Sequence, residues 1–235
     1  METTGHDATR NLFRKIKSRA SAGGIASLSL FLLCFTPDRP FGIAPSFPED
    51  QLDKNRAQKI HETFRLYGVV RANAPEFDDG HAWKLAAMVR AESHKHSLDP
   101  MLVLAIIKTE SAFEEKAISL KGAQGLMQIL PFVAEAVAEE TGIQGWKENR
   151  NLDDPLVNIQ LGVSYLKSLK SKFKDLSLAL AAYRWGPSEI SHRINQQIPV
   201  PLEYSNRVLE YYARFRNKRP EIPKVIPKTL EQETA

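Results

Sequence analysis

Glu110 closes the apolar stretch "IIKTESAF", which occupies positions 106–113. Leu102, Val103, Ile106 and Glu110 fall at i, i+1, i+4 and i+8, so the carboxylate shares the core-facing side of one helix. Phe113 follows close behind. A carboxyl held partly out of water resists ionisation and keeps its proton near neutral pH, the state a general acid needs. The competing reading is a solvated charge at a helix end.

The neighbouring stretches bear on that choice. In "SLKGAQGLMQILP" (119–131), Gly122 and Gly125 surround an Ala-Gln pair, and glycine allows positive φ or close approach of a ligand. Gln128 sits among Leu126, Met127, Ile129 and Leu130, and a buried amide needs partners, either backbone or a polar ligand. "AAYRWGP" (181–187) puts Tyr183 and Trp185 where a buried helix opens into a turn. They are either turn and core aromatics or a surface for sugars, whose hydroxyl edges and apolar C–H faces suit such rings. A second acid is not evident. Glu114 lies one turn beyond Glu110 only if the helix continues, and Asp153 and Asp154 look like the cap of the next helix. His94 and His96 form an H-x-H with no further ligand at a telling spacing. They are expected to face solvent rather than hold a metal.

The elements that must position these residues read as helices from 81 to 217. "AWKLAAMVRAES" has helical spacing of Trp83, Leu85, Met88 and Val89. Asp99-Pro100 is a start signal, because Asp caps free N–H groups and Pro suits the first helical position. Another helix starts near Asp154-Pro155. "LSLALAAYRWG" is rich in Ala and Leu, hence buried, and stops at Gly186-Pro187. The last helix aligns Tyr204, Val208, Tyr211 and Phe215 on one stripe. Strand-like alternation is almost absent, so the fold class is mainly α.

Composition bounds the rest. With 43% hydrophobic and 26% charged residues in 235, the chain suits one domain with appendages. Cys34 is the single cysteine, which excludes an internal disulfide framework. Of 32 Lys/Arg and 28 Asp/Glu, residues 1–44 hold six and three, leaving 26 against 25. A body so nearly neutral gives no footprint for nucleic acid.

Arg10, Arg14, Lys15, Lys17 and Arg19 precede the uncharged "AGGIASLSLFLLCF". Basic then apolar marks residues 1–44 as a secretory signal or a short membrane anchor, shorter than the ~20 residues of a usual span. "GIA" at 42–44 supplies a small-x-small cleavage pattern ending at Ala44. Leu33 before Cys34 disfavours a lipoprotein site. Residues 45–80 are expected to be a helical or extended spacer, with an amphipathic stretch from Asp50 to Leu66 that forms a helix either packed on the domain or lying beside it, and 218–235 a Pro-rich, mobile tail.

"ESAF", "AISLKGAQGLMQILP", "NIQLGVSYLKSLKSKF" and "LALAAYRWGP" occur in the order and approximate spacing of the soluble-lytic-transglycosylase (SLT) domain. Residues 85–215 resemble that family, which acts on bacterial peptidoglycan. The resemblance implies a lysozyme-like helical domain, spanning 81–217, with a groove for alternating N-acetylglucosamine and N-acetylmuramic acid. It implies Glu110 as the single catalytic acid, and Ser119, Gln128, Leu130 and Tyr183 along the substrate groove, with Ser111 supporting the site. Three departures stand out. Arg184 and Trp185 replace the usual Asn-Ala, Leu130 replaces a common Met, and Val200 lies four before Tyr204 where a Glu-Thr pair is usual.

The family mechanism needs no second carboxylate, and neither a metal nor an organic cofactor. The acid protonates the glycosidic oxygen, then removes the muramic C6 hydroxyl proton, giving 1,6-anhydromuramoyl ends. The partner is the peptidoglycan glycan strand, and the location is the periplasm, free or held to the inner membrane by the N-terminus. Two rivals remain: a lysozyme-type hydrolase, and a non-catalytic scaffold whose groove Arg184 and Trp185 block.

Overall fold

The computed structural model describes residues 49–143, 146 and 150–217. The basic-apolar N-terminal run and the Pro-rich tail lie outside them. The described chain forms eight α-helices: α1 (Glu49–Asn73), α2 (Asp79–Lys95), α3 (Pro100–Glu110), α4 (Pro131–Thr141), α5 (Pro155–Phe173), α6 (Leu176–Trp185), α7 (Pro187–Asn195) and α8 (Glu203–Asn217). No strand occurs among the described residues. Two isolated antiparallel bridges, Ile118 to Gln124 and Gln124 to Ile129, fold the connection between α3 and α4.

The helix starts obey local chemistry. Asp99 accepts from the Met101 N–H at 2.9 Å, and Asp154 from Leu156 and Val157 at 2.8 and 3.1 Å, with Pro100 and Pro155 each in the first turn. Asp78 and Asp175 cap α2 and α6 in the same way. Gly186, at φ 88°, ends α6 and lets Pro187 begin α7 at once.

Helix α3 is the hub. Every residue from Pro100 to Ile107 is buried, because α1, α2 and α8 all pack on it. A helix that is apolar all round has no solvated face to offer. Helix α8 is held to its neighbours by polar clips as well as by Val208 and Phe215. The Tyr212 hydroxyl donates to Asp99, the cap of α3, at 2.7 Å, and Ser205 donates to the Ser177 carbonyl of α6 at 2.7 Å.

Residues 45–80 do more than space the domain. Thr63, Leu66, Tyr67, Val70 and Ala74 make one buried stripe of α1 and the turn after it. Trp83 of α2 stacks edge-on to Phe64 at 4.9 Å and lies 6.1 Å from Tyr67. The packed core therefore begins near Ile60, ahead of residue 81, where the sequence placed the domain's start. Thr63 is the residue that obscures this. It is polar, yet its hydroxyl is satisfied by the Lys59 carbonyl at 2.8 Å, so it is buried without a partner outside its own helix.

Candidate active site

Glu110 is the last residue of α3, where the buried hub meets the surface, and it is half-buried. The helix cannot continue: Ala112 and Phe113 both adopt positive φ, at 53° and 75°, a costly conformation for L-residues. Phe113 is thereby turned fully inward. Glu114 is exposed on a turn, where it accepts from the Lys116 N–H, rather than one helical turn beyond the acid. Ser111 caps the break. Its hydroxyl lies 2.8 Å from the Leu126 carbonyl and 3.2 Å from that of Ile107, tying the end of α3 to the following loop.

That loop, 114–130, is locked from beneath by Asn158 of α5, which is fully buried. The Asn158 side chain accepts from the Met127 N–H at 2.8 Å and donates to the carbonyls of Gln124 and Leu152 at 2.9 and 3.0 Å. Gly125, at φ 76°, passes so close that a Cβ there would overlap the Asn158 amide. Gly162 likewise leaves room for Met127. These two glycines allow the loop to sit down on α5, and "GLM" is buried as a result.

Gln128, at φ 48°, spends both N–H donors on backbone, to Ala117 at 2.9 Å and Gly125 at 3.0 Å. Its carbonyl oxygen completes no hydrogen bond among the described residues. The Ser119 hydroxyl accepts from the Ala123 N–H at 3.0 Å and closes its own turn. Tyr183 donates its hydroxyl to the Met127 carbonyl at 2.8 Å and packs its ring 5.3 Å from that of Tyr165. It therefore braces the loop. Burial, and then the charge of Glu110 nearby, push its pKa up.

Two cavities meet at these residues. One, of about 380 Å³, is lined by Glu110, Ser119 and Gln128 on one side and by Glu203, Tyr204 and Arg207 of α8 on another. The second, of about 430 Å³, is lined by Gln128, Leu130, Phe132, Tyr165 and Tyr183. Arg184 and Trp185 line both. They shape the cleft without filling it.

Sequence reasoning did not bring α8 to the acid. Tyr204 is buried, and its hydroxyl completes no hydrogen bond among the described residues, yet it lies near enough to Glu110 to influence it. Burial raises the Glu110 pKa; the Tyr204 hydroxyl and the Arg184 guanidinium pull it back, in that order, and the net shift is upward. The sequence signal was present but ambiguous, since Tyr204 stands on the same stripe as core residues Val208 and Phe215. The histidines stand apart from the cleft-lining residues: His94 pairs with Glu62 at 2.6 Å, and His96, only partly exposed, with Glu92 at 3.0 Å.

A carboxyl whose pKa burial raises ends a buried helix and faces a cleft between helices, in a helical domain of lysozyme-like fold. Residues 87–199 match the family described as the transglycosylase SLT domain. Membrane-bound lytic murein transglycosylase C of Shigella sonnei (strain Ss046) is 38% identical over 141 residues, 59% of this chain and 39% of that protein. An inactive mutant of lytic transglycosylase Slt from Pseudomonas aeruginosa superposes with TM-score 0.51 at 28% identity, over 59% of this chain and 25% of that one. The 70 kDa soluble lytic transglycosylase Slt70 from Escherichia coli gives TM-score 0.51 at 24% identity, over 68% and 29%, and shares the fold. The chain thus spans well under half the length of these relatives.

Proposed function

We propose that this protein is a peptidoglycan lytic transglycosylase in which Glu110 acts first as acid and then as base. One observation carries the reading: a half-buried carboxyl, its pKa raised by burial, opens into a cavity large enough for part of a glycan. The names of its relatives, lytic murein transglycosylases, support the substrate and the reaction class.

Glu110 gives its proton to the oxygen linking muramic acid to glucosamine as the C1–O bond breaks. The substrate's N-acetyl group stabilises the electron-poor C1. The Glu110 carboxylate then takes the proton of the muramic C6 hydroxyl, whose oxygen closes onto C1. The acid returns to its starting state, and the product is a 1,6-anhydromuramoyl end, formed without water. The Gln128 carbonyl oxygen accepts from a sugar hydroxyl, Leu130 and the Tyr183 ring pack against sugar C–H faces, and Ser119 borders the acid. Positioning supplies much of the rate, since general acid–base transfer alone contributes about 10²–10⁴-fold.

One observation favours hydrolysis instead. Glu203, an exposed carboxylate at the start of α8, lines the same cavity as Glu110, and two carboxylates are what glycoside hydrolysis ordinarily uses. Transglycosylation remains the stronger reading, because the similar proteins are named lytic transglycosylases, whereas an exposed anion in the first turn of a helix is stabilised there whatever its task.

In this reading residues 1–44 direct export to the periplasm, either cleaved or kept as an anchor, and 218–235 form an appendage. Among the described residues no helix is long and apolar enough to cross a membrane. Incubating the full chain and its Glu110→Gln form with purified sacculi tests the activity. Soluble muropeptides are expected from the first only; no release from either, or equal release from both, would sink the proposal.

A further inference from the structure

The arginines of α6 to α8 divide into two sets. Arg193, Arg214 and Arg216 each sit within ion-pair distance of a carboxylate, on Glu189, Glu210 and Asp99. Arg184 and Arg207 complete no ion pair among the described residues, and both line the cavity that holds Glu110. The unpaired guanidiniums are thus the ones in the cleft.

Cations gather there. Facing the two arginines are Glu110, whose ionisation burial disfavours, and exposed Glu203. In the adjoining cavity Lys121 joins Arg184, while the acid present, Glu189, is engaged by Arg193 at 2.6 Å. Trp185, 48% exposed beside Arg184, offers a ring face for a sugar. A planar guanidinium next to an aromatic platform matches a sugar carrying a carboxylate, because the fork of N–H donors binds both carboxylate oxygens.

We propose that Arg184, assisted by Arg207, is a carboxylate-recognition subsite that selects glycan strands by the negative charge borne on their muramic residues. The inference rests on the peptidoglycan reading and sharpens it. Two sources share that chemistry. In peptide-free strands the lactyl group of muramic acid ends in a free carboxylate; in peptide-bearing strands that group is an amide, and the carboxylates lie further along the peptide.

The test is binding, separated from turnover by placing every measurement in the full-length Glu110→Gln chain. Three probes are titrated calorimetrically: a peptide-free GlcNAc–MurNAc tetrasaccharide, the same sugar with its lactyl groups converted to carboxamides, and its peptide-bearing counterpart. The carboxylate form is expected to bind about 10- to 100-fold more tightly than the carboxamide, a gap in the range of a charge-assisted hydrogen bond. Adding Arg184→Gln is expected to remove the gap and leave carboxamide affinity unchanged, which a merely structural role for Arg184 would not do. Tightest binding of the peptide-bearing probe, lost in the same way, assigns the carboxylate to the peptide. Equal affinity for acid and carboxamide, or a gap that survives Arg184→Gln, overturns the subsite while leaving the peptidoglycan reading intact. Failure of all three probes to bind overturns both.

Discussion

The loop 114–130 and the first turns of α8 line the same cavity, yet they are built differently. The loop is determined from beneath: Asn158 holds three of its backbone groups or their neighbours, Ser111 holds a fourth, and Gln128 and Tyr183 spend their donors on backbone carbonyls. On α8 the polar groups that line the cavity are not spent on neighbours in this way, unlike Ser205 and Tyr212 outside it. Tyr204 is buried without a completed hydrogen bond, and Arg207 has no ion-pair partner among the described residues, like Arg184 on α6. One side of the cleft has used its polar groups to make a shape; the other has kept them for a substrate. Substitutions on the first side should therefore cost stability, and those on the second should cost activity.

Glu110→Gln gives the largest expected effect, a loss of about 10²–10⁴-fold in muropeptide release measured by chromatography. Its stability should move the other way. The folded-state pKa of Glu110 is raised, so the folded chain loses stability as pH climbs above the ordinary glutamate range, and glutamine removes that loss. Calorimetry at pH 7 should show a Tm equal to or above that of the parent, with any gain shrinking in acid. On the loop side, Asn158→Ala leaves a buried N–H and two carbonyls unsatisfied and is expected to cost about 3 kcal/mol or more in denaturant unfolding. Leu66→Ala asks whether α1 is part of the domain; at full burial it should cost about 2–5 kcal/mol, and a loss near zero would return that helix to the role of a spacer. The smallest effect distinguishes the two sides most finely. Tyr204→Phe deletes a hydroxyl that completes no hydrogen bond, so Tm should hold, while release slows by about 5- to 10-fold. Because that hydroxyl lowers the Glu110 pKa, its loss should shift the alkaline limb of the pH–rate profile to higher pH. A drop in Tm with an unmoved profile would make Tyr204 structural.

What the sequence conveyed follows the same division. Helix starts at Asp99-Pro100 and Asp154-Pro155, and the stop at Gly186-Pro187, were legible because caps and breakers act over three or four residues. The loop was legible as a unit because its glycines and Gln128 serve one another locally. The acid's surroundings were not. Phe113, three residues on, looked like the aromatic beside Glu110, but two left-handed residues turn it into the core, and the aromatic that influences the acid arrives from Tyr204, far along the chain. Nor did spacing show that Glu203 shares the cavity, since the packing of α8 on α3 decides it. The sparse stripe of α1, with polar Thr63 in it, left open whether that helix packs on the domain.

Sacculi digested by the full chain in isotopically labelled water, with the new ends resolved by mass spectrometry, test the central claim most directly. The account predicts anhydromuramoyl ends that carry no label and that disappear with Glu110→Gln. Labelled reducing ends would contradict it and give Glu203 the role of activating water, and unlabelled ends persisting in the Gln variant would take the proton from Glu110 altogether.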